Sequence, residues 1–165
     1  MTPDYPLVGY RFLVTLSPAD AYLPATQAAL LPLVAGGSFM EVKGLGADLE
    51  VQAYAEGGVN DHLHQLPVRH SWKRLSFRNG LVRGTGLWDW YQAGLTQSLG
   101  ARRDGAIVLM TPVGTPAISW MFQAGLAVSW TGPELNSMTN AVAIEGLDVA
   151  HEGLIQVQLS SPGTP

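Results

Sequence analysis

The feature of this sequence that most constrains the fold is a change of hydrophobic period within residues 71–99. Trp72, Leu75 and Phe77 first alternate, for the most part, with charged and polar residues, which predicts a strand with one polar face. Asn79-Gly80 ends that strand, because this pair favours a turn. The pattern then changes to a repeat of four residues, which is typical of a helix.

The four-residue repeat predicts one helix over about residues 85–99. Its apolar stripe recurs at Leu87, Tyr91, Leu95 and Leu99. Thr85 suits the N-terminal cap, because its hydroxyl can accept a hydrogen bond from the first turn, and Gly100 suits the C-terminal end. A helix this short is marginal alone, so we expect the stripe, together with Trp88 and Trp90, to pack into a hydrophobic core.

Short strands are predicted for most of the remaining chain. Apolar residues alternate or run together in segments bounded by turn residues, at positions 10–16, 39–45, 49–54, 106–110, 118–123, 142–149 and 154–159. A turn is predicted for residues 102–105, and a long loop for the polar segment 59–69, which contains Pro67. About six to eight short strands around one helix predict a mainly β fold, an antiparallel barrel or two-sheet sandwich with one flanking helix.

The length fits one domain. A chain of 165 residues can bury about 70% of the surface that its unfolded form exposes, and we expect a single domain over residues 1–159 with a disordered tail at 160–165. An apolar insertion occupies about residues 17–37, which are rich in Ala, Leu and Pro and carry one charge, Asp20. Because this segment is too apolar for a free loop, it either folds back over the core or is covered by a neighbouring subunit.

Charged residues are scarce in this chain. They make up 13% of it, against about a quarter in a typical soluble domain, which is too few to cover a free monomer. Because the cores of subunit interfaces are depleted in charge, the composition favours an oligomer. The net charge of −4 and the lack of a long basic run disfavour binding to nucleic acid. No apolar run is long enough to predict a membrane span.

No catalytic, cofactor or metal site is predicted. His62 and His64 lie two residues apart, and His70 and His151 could complete a zinc site, but no ligand stands at a recognisable spacing. The glycines that precede the predicted helix lack the Lys-Ser/Thr ending of a phosphate-binding loop. The sequence has no cysteine and no Gly-x-Ser-x-Gly nucleophile motif. These patterns favour a protein that is not an enzyme.

Short motifs follow one another in a fixed order along the chain. They are Val42-Lys43-Gly44-Leu45, Tyr54 with Glu56-Gly57-Gly58 and Asn60, Leu66-Pro67, residues 72–80, Leu87-Trp88-Asp89-Trp90-Tyr91, Arg102-Arg103-Asp104-Gly105, Trp120 with Phe122, residues 130–136 with Asn140, residues 142–147 and residues 150–154. In this order and spacing the chain resembles the tail-tube, or inner tube, protein family of contractile phage tails and of phage-tail-like extracellular contractile injection systems. The chain departs from the family pattern at residues 124–128, where relatives often carry a proline and an aromatic residue.

This resemblance implies a structural subunit without a cofactor. It implies a small β-barrel or two-sheet domain that assembles into hexameric rings, which stack into an inner tube through which cargo passes. The subunit would be either the bulk tube protein or the variant that initiates the tube at the baseplate. Its partners would be its own copies, the sheath, and baseplate or hub proteins, assembled in the bacterial cytoplasm into a phage tail or a released injection particle.

The resemblance also suggests which residues meet neighbouring subunits. The family's extended loop, which contacts neighbouring subunits and the next ring, corresponds to residues 56–70. Glu56, Asn60, His62 and His64 are therefore the candidate contact residues. The insertion at 17–37 is longer than the turn that many relatives have there, and we expect it to pack on an adjacent ring, the sheath or a baseplate component.

Two alternatives to a tube subunit remain open at this point. One is a non-polymerising ring or adaptor β-barrel module of a secretion or baseplate apparatus, which would form one ring without stacking. The other is an enzyme that uses the histidines, and it predicts a tightly bound metal.

Overall fold

The computed structural model describes residues 9, 11–16, 39–58, 61–80, 86–97, 101–138 and 140–159. Several predictions fall outside these residues, namely those for Asn60, Thr85, Gly100, the insertion at 17–37 and the tail at 160–165. The single domain over residues 1–159 stays a prediction.

The described part of the chain is mainly β, with nine strands and one helix. In chain order the elements are β1 (Phe12–Leu16), β2 (Phe39–Lys43), β3 (Ala47–Tyr54), β4 (His64–Trp72), β5 (Leu75–Gly80), α1 (Gly86–Gln97), β6 (Arg103–Met110), β7 (Pro116–Thr131), β8 (Ile144–Ala150) and β9 (Gly153–Gln158). All strand pairs are antiparallel. The predicted class, an antiparallel β fold with one flanking helix, is confirmed.

Seven strands form one sheet, in which six follow the order β1-β6-β7-β8-β5-β2 and β9 pairs with β7. The 16-residue strand β7 belongs to two layers. Residues 116–125 pair with β6 and β9 in the first layer, whereas residues 126–131 pair with β8 in the second. The second layer thus has four strands in the order β7-β8-β5-β2. Strands β3 and β4 form a separate two-stranded sheet.

The hydrophobic core lies between the two layers. Both layers contribute buried side chains: Val14, Leu16, Ile107 and Phe122 from the first, and Leu75, Phe77, Leu147 and Val149 from the second. The rings of Phe77 and Phe122 meet across the layers with their centroids 6.3 Å apart. Alternation decides which residues contribute, because successive side chains of a strand point to opposite faces.

Helix α1 packs on the second half of β7 and closes one side of the core. Leu87 and Trp90 are buried, and the Trp90 indole donates a hydrogen bond of 2.8 Å to the Ala101 carbonyl. The predicted stripe is wrong at Leu95, which is 64% exposed, because a helix of 3.6 residues per turn carries a strict four-residue repeat off the buried face. Ala93 is buried instead. Among the described residues, no helix has the length and apolar character needed to cross a membrane.

Two predictions around residue 70 are wrong. Residues 72–78 do not form one strand, because β4 ends at Trp72 and β5 begins at Leu75. The predicted loop at 59–69 is in large part strand β4. Pro67 is tolerated there because a two-stranded sheet has only edge strands, where a missing N–H need not break a ladder.

One prediction at the start of β6 also needs correction. The predicted turn at residues 102–105 is already strand from Arg103, whose buried guanidinium lies 5.6 Å from the centre of the Trp90 ring. Residues 106–110 are apolar on both faces, but only Ile107 is fully buried, since one face of the first layer is not covered by the core. Strand β7 continues through Ala124, which has φ of 51° and donates its N–H to Asp104 over 2.8 Å. This irregularity bends β7 between the layers.

Candidate functional site: an assembly interface

The most exposed element is the hairpin of β3 and β4, residues 47–72, which we call the arm. Every residue of β3 is exposed, and β4 is exposed everywhere except at its two ends. Within the described chain, no other strand pairs with the arm. Unlike the side chains of β5, those of the arm are therefore not packed against the core.

The arm has one apolar face. The strand register places Leu49 opposite His70 and Val51 opposite Pro67, so these four side chains share a face. Leu49 is 57% exposed and Val51 is 49% exposed. The opposite face is mostly polar and includes Asp48, Glu50, Gln52, Arg69 and Ser71. An amphipathic hairpin with its apolar face in solvent is typical of a protein–protein contact surface.

The predicted contact residues gather at the tip of the arm. His64 Nε2 lies 3.0 Å from a Glu56 carboxylate oxygen, and His62 Nδ1 lies 2.9 Å from an Asp61 carboxylate oxygen. The two imidazole rings meet edge to face with centroids 5.0 Å apart. The structure thus brings Glu56, His62 and His64 together, whereas Asn60 lies outside the described residues. Their contact with a neighbouring subunit stays a prediction.

The remaining histidines lie at the base of the arm. His70 packs on Trp72 with ring centroids 4.4 Å apart, and Trp72 faces His151 at 5.9 Å. His151 Nε2 lies 3.0 Å from the Lys73 carbonyl oxygen, and Nδ1 lies 2.9 Å from that of Gly153. A neutral ring donates to one of these oxygens and a protonated ring to both. His151 therefore ties the arm to the β8–β9 connection, and the described residues contain no group of three or more His, Asp or Glu side chains arranged to hold a metal.

Gly44 shapes the junction between β2 and the arm. Its φ is +90°, and a Cβ at this position would overlap the carbonyl group of Arg74. The Lys73 amide donates a hydrogen bond of 3.0 Å to the Gly46 carbonyl nearby. Glycine is needed at position 44 because the backbone has a positive φ there and because the Arg74 carbonyl leaves no room for a Cβ.

The second layer has a polar face directed away from the core. Glu41 lies 2.7 Å from Lys43 Nζ and 3.4 Å from Arg78 Nε. The hydrogen bond from Lys43 holds the pKa of Glu41 below its ordinary value, and the charges of Lys43 and Arg78 act in the same direction. A groove of about 510 Å³ on this face is lined mostly by uncharged residues, together with charged ones that include Arg78, Glu134 and Asp148.

The second layer is also open at both of its edges. Strand β2 pairs with β5 on one side only, and residues 126–131 of β7 pair with β8 on one side only, within the described chain. Unpaired strand edges present backbone donors and acceptors that can pair with another chain. The subunit thus offers two complementary edges at opposite ends of one sheet.

The strand predicted at residues 49–54 is confirmed as β3 of the arm, but β4 was missed. Leu66, Val68, His70 and Trp72 recur at every second position, which is a strand pattern. Pro67 and the surrounding polar residues led to a loop prediction instead. The two-residue alternation carried the information needed to find β4.

Comparison with known proteins gives a family for this chain. The family model described as T4-like virus tail tube protein gp19 matches residues 9–155. No curated protein matches the sequence significantly.

Solved structures share the fold. A chain in the anti-feeding prophage (AFP) baseplate has 22% identity and a TM-score of 0.77, over 94% of this chain and 98% of that one. A chain in the PVC sheath–tube complex, an extracellular contractile injection system, has 20% identity and a TM-score of 0.76, over 94% of each chain. Hcp1 from Flavobacterium johnsoniae has 12% identity and a TM-score of 0.54, over 88% of this chain and 93% of that one.

The family match spans both layers, the arm and the helix, and the structural likenesses cover most of the chain. The chain belongs to the T4-like virus tail tube protein gp19 family.

Proposed function

We propose that this chain is a structural subunit of the inner tube of a contractile injection system or phage tail. The observation that carries the proposal is the open four-stranded layer in a member of the tail tube family. A sheet with two unpaired edges is completed by joining copies edge to edge. Because the two edges differ, this contact is head-to-tail and forms a closed ring when the rotation between copies allows it.

The strand directions suit such a joint. Neighbouring strands in the second layer alternate in direction, so β2 and β7 at its two edges run in opposite senses. When β2 of one subunit meets residues 126–131 of the next around a common axis, the new pair is antiparallel like all the others. Closure into a hexameric ring removes every free edge of this layer.

The polar face of the second layer would then line the lumen. Its other face packs on the first layer and α1, so the first layer and α1 would lie outside the barrel. The lumen would carry Lys43 and Arg78 together with Glu41, Glu134 and Asp148, so basic and acidic side chains would lie side by side there.

The arm would supply the contacts between neighbouring copies. Its apolar face has no cover within the described subunit, and burial against another copy would remove that face from water. We propose that Glu56, Asn60, His62 and His64 at the tip lie in these contacts. Partners beyond the tube itself would be the sheath and baseplate or hub proteins, by likeness to the AFP and PVC assemblies.

The chain would have no enzymatic role. The ring would form in the bacterial cytoplasm and become part of a phage tail or a released injection particle. It would serve either as the bulk tube protein or as the initiator at the baseplate, since both roles need the same open sheet.

Negative-stain electron microscopy of the purified full chain, with mass measurement in solution, tests the proposal. We expect six-fold rings or tubes and a hexamer mass or its multiples. Single rings that never stack would favour the adaptor module over a tube. A monomer at every concentration, even with baseplate proteins added, would overturn the proposal.

A further inference from the structure

The face of the first layer that points away from the core carries two rows of uncharged side chains. Val14, Ile107 and Phe122 face the core, so their neighbours along the same strands point outward. The strand register aligns these outward residues across β1, β6, β7 and β9, and partners in a row share a face. The rows are Leu13, Val108, Ser119 and Val157, and Thr15, Ala106, Met121 and Ile155. We call these eight residues the outer face.

The outer face is apolar and partly exposed. Met121 is 40% exposed and Ile155 is 46% exposed. Together with Thr15 and Ala106 they line a groove of about 340 Å³. No residue of the outer face carries a charge. Because a broad apolar sheet face is unfavourable in water, we expect other protein to cover it.

The apolar insertion leaves the first layer at this groove. Strand β1 ends at Leu16, which lines the groove, and the chain returns to the described structure at Phe39. Phe39 lines a second groove with Phe12 and Leu13, so β2 begins beside the other end of β1. A direct connection would span roughly the length of β1, about 17 Å, which takes about six extended residues. Positions 17–38 provide 22 residues, so most of them are free to cover another surface.

The insertion matches the outer face in composition and in reach. Residues 28–35 read Ala-Ala-Leu-Leu-Pro-Leu-Val-Ala, and Asp20 is the only charge of the insertion. Eight extended residues are about 26 Å long, enough to cross four strands, which occupy about 15 Å. Because the insertion is joined to the groove at Leu16, its local concentration there is far above that of any separate molecule. These observations favour the chain's own insertion as the cover of the outer face.

We propose that residues 28–35 of the insertion pack on the outer face of their own subunit. This placement replaces the adjacent ring, sheath or baseplate component that the sequence led us to expect. Contact with the insertion removes Met121 and Ile155 from water. The inference does not depend on the proposed function, because both surfaces belong to one chain. In the proposed ring the outer face points away from the lumen, so the insertion forms part of the outer surface of the tube.

Labelling of a single cysteine with a maleimide tests the proposal, because the chain has no cysteine of its own. Met121→Cys places a thiol on the outer face, and Leu95→Cys on the exposed side of α1 is the matched control. Each is made in the full chain and in a chain whose residues 19–35 are replaced by a short Gly-Ser linker. We expect the replacement to speed labelling of Met121→Cys by about tenfold or more and to leave Leu95→Cys unchanged. Equal labelling of Met121→Cys in the two chains would overturn the proposal.

A milder variant and a cross-link complete the test. If circular dichroism shows that the linker chain does not fold, Leu30→Ser with Leu31→Ser and Leu33→Ser takes its place, with the same expected rise in labelling. A flexible bismaleimide added to Met121→Cys with Leu31→Cys should join the two positions within one chain, as peptide mass spectrometry will show. Links between copies would overturn the inference in favour of a second copy and leave the proposed function intact. Links within a chain that never forms rings would instead contradict the proposed function alone.

Discussion

Only two residues separate strands β4 and β5, yet β4 is exposed to solvent whereas β5 packs in the core. In β5, Leu75 and Phe77 are fully buried between the layers, and Phe77 is only 2% exposed. In β4, Leu66 and Val68 remain in solvent. Both strands carry apolar residues at alternate positions, but this pattern does not determine what covers those residues. For β5 the cover is the subunit's own core, whereas for the arm we infer that it is another copy.

The comparison is tested most strongly by truncating one apolar side chain in each region. Phe77→Ala should lower the free energy of unfolding by about 3–5 kcal/mol, because it leaves a cavity between the layers. Val51→Ala in the arm should change it by less than about 0.5 kcal/mol. Urea denaturation of the unassembled subunit measures both. A large loss from Val51→Ala would show that the arm is already covered within its own subunit.

Gly44, where β2 passes into the arm, should be nearly as sensitive as the core. Gly44→Ala forces a residue with a side chain to φ of +90° and against the Arg74 carbonyl, at a cost of about 1–3 kcal/mol from the backbone conformation alone. Gly58→Ala is the matched control, because Gly58 has φ of +97° but open space around it. Thermal unfolding should show a larger loss for Gly44→Ala than for Gly58→Ala. Equal losses would mean that the close approach to Arg74 has no effect.

His151 joins the base of the arm to the core, so its loss should have an intermediate effect. His151→Ala removes the imidazole that donates to the Lys73 or Gly153 carbonyl and should cost about 1–2 kcal/mol. Amide hydrogen exchange at the base of the arm should become faster in the same variant. His62→Ala at the exposed tip should leave the free energy of unfolding and the exchange rate unchanged. If His62→Ala changed them as much as His151→Ala does, His151 would not specifically hold the base of the arm.

The smallest expected effect concerns Glu41 on the polar face. Because its pKa is held below the ordinary value of 4.5, its ionised form stabilises the fold fully above that pH. This contribution is lost as the pH falls through the lowered folded-state value. Glu41→Gln should therefore reduce the difference in urea midpoint between pH 6 and pH 3. An undiminished difference in Glu41→Gln would show that the pair with Lys43 does not contribute.

Much of the fold could be predicted from the sequence, since it depends on local patterns. The alternation of Leu75 and Phe77 with polar residues predicts the strand that contains them, and the spacing of large apolar residues predicts α1. Strand β3 of the arm was also predicted, whereas β4 was predicted as a loop because Pro67 and its polar neighbours obscure the alternation. The predicted buried face of α1 was wrong at Leu95, because a strict four-residue repeat drifts off the buried face of a helix with 3.6 residues per turn.

The candidate interface was less predictable than the fold. Glu56, His62 and His64 were chosen by resemblance, and the structure brings them together at the tip of the arm. The two open edges were not predicted, because edge positions depend on strand order, which pairs β2 with β5 and β7 with β8 across long stretches of sequence. Pairing between strands that are far apart in the sequence is not visible in local sequence patterns.

The central claim is that β2 of one subunit pairs with the second half of β7 of the next. Disulfide cross-linking of Glu41→Cys with Ser129→Cys, two positions on the polar face, tests it most directly, because the chain has no other cysteine. Mild oxidation of assembled protein should give a denaturing-gel ladder that ends at the hexamer. Thr15→Cys on β1 with Ser129→Cys, which places one cysteine in the other layer, should give no ladder. Rings that assemble but yield no ladder from the first pair, or yield it equally from the second, would contradict the claim.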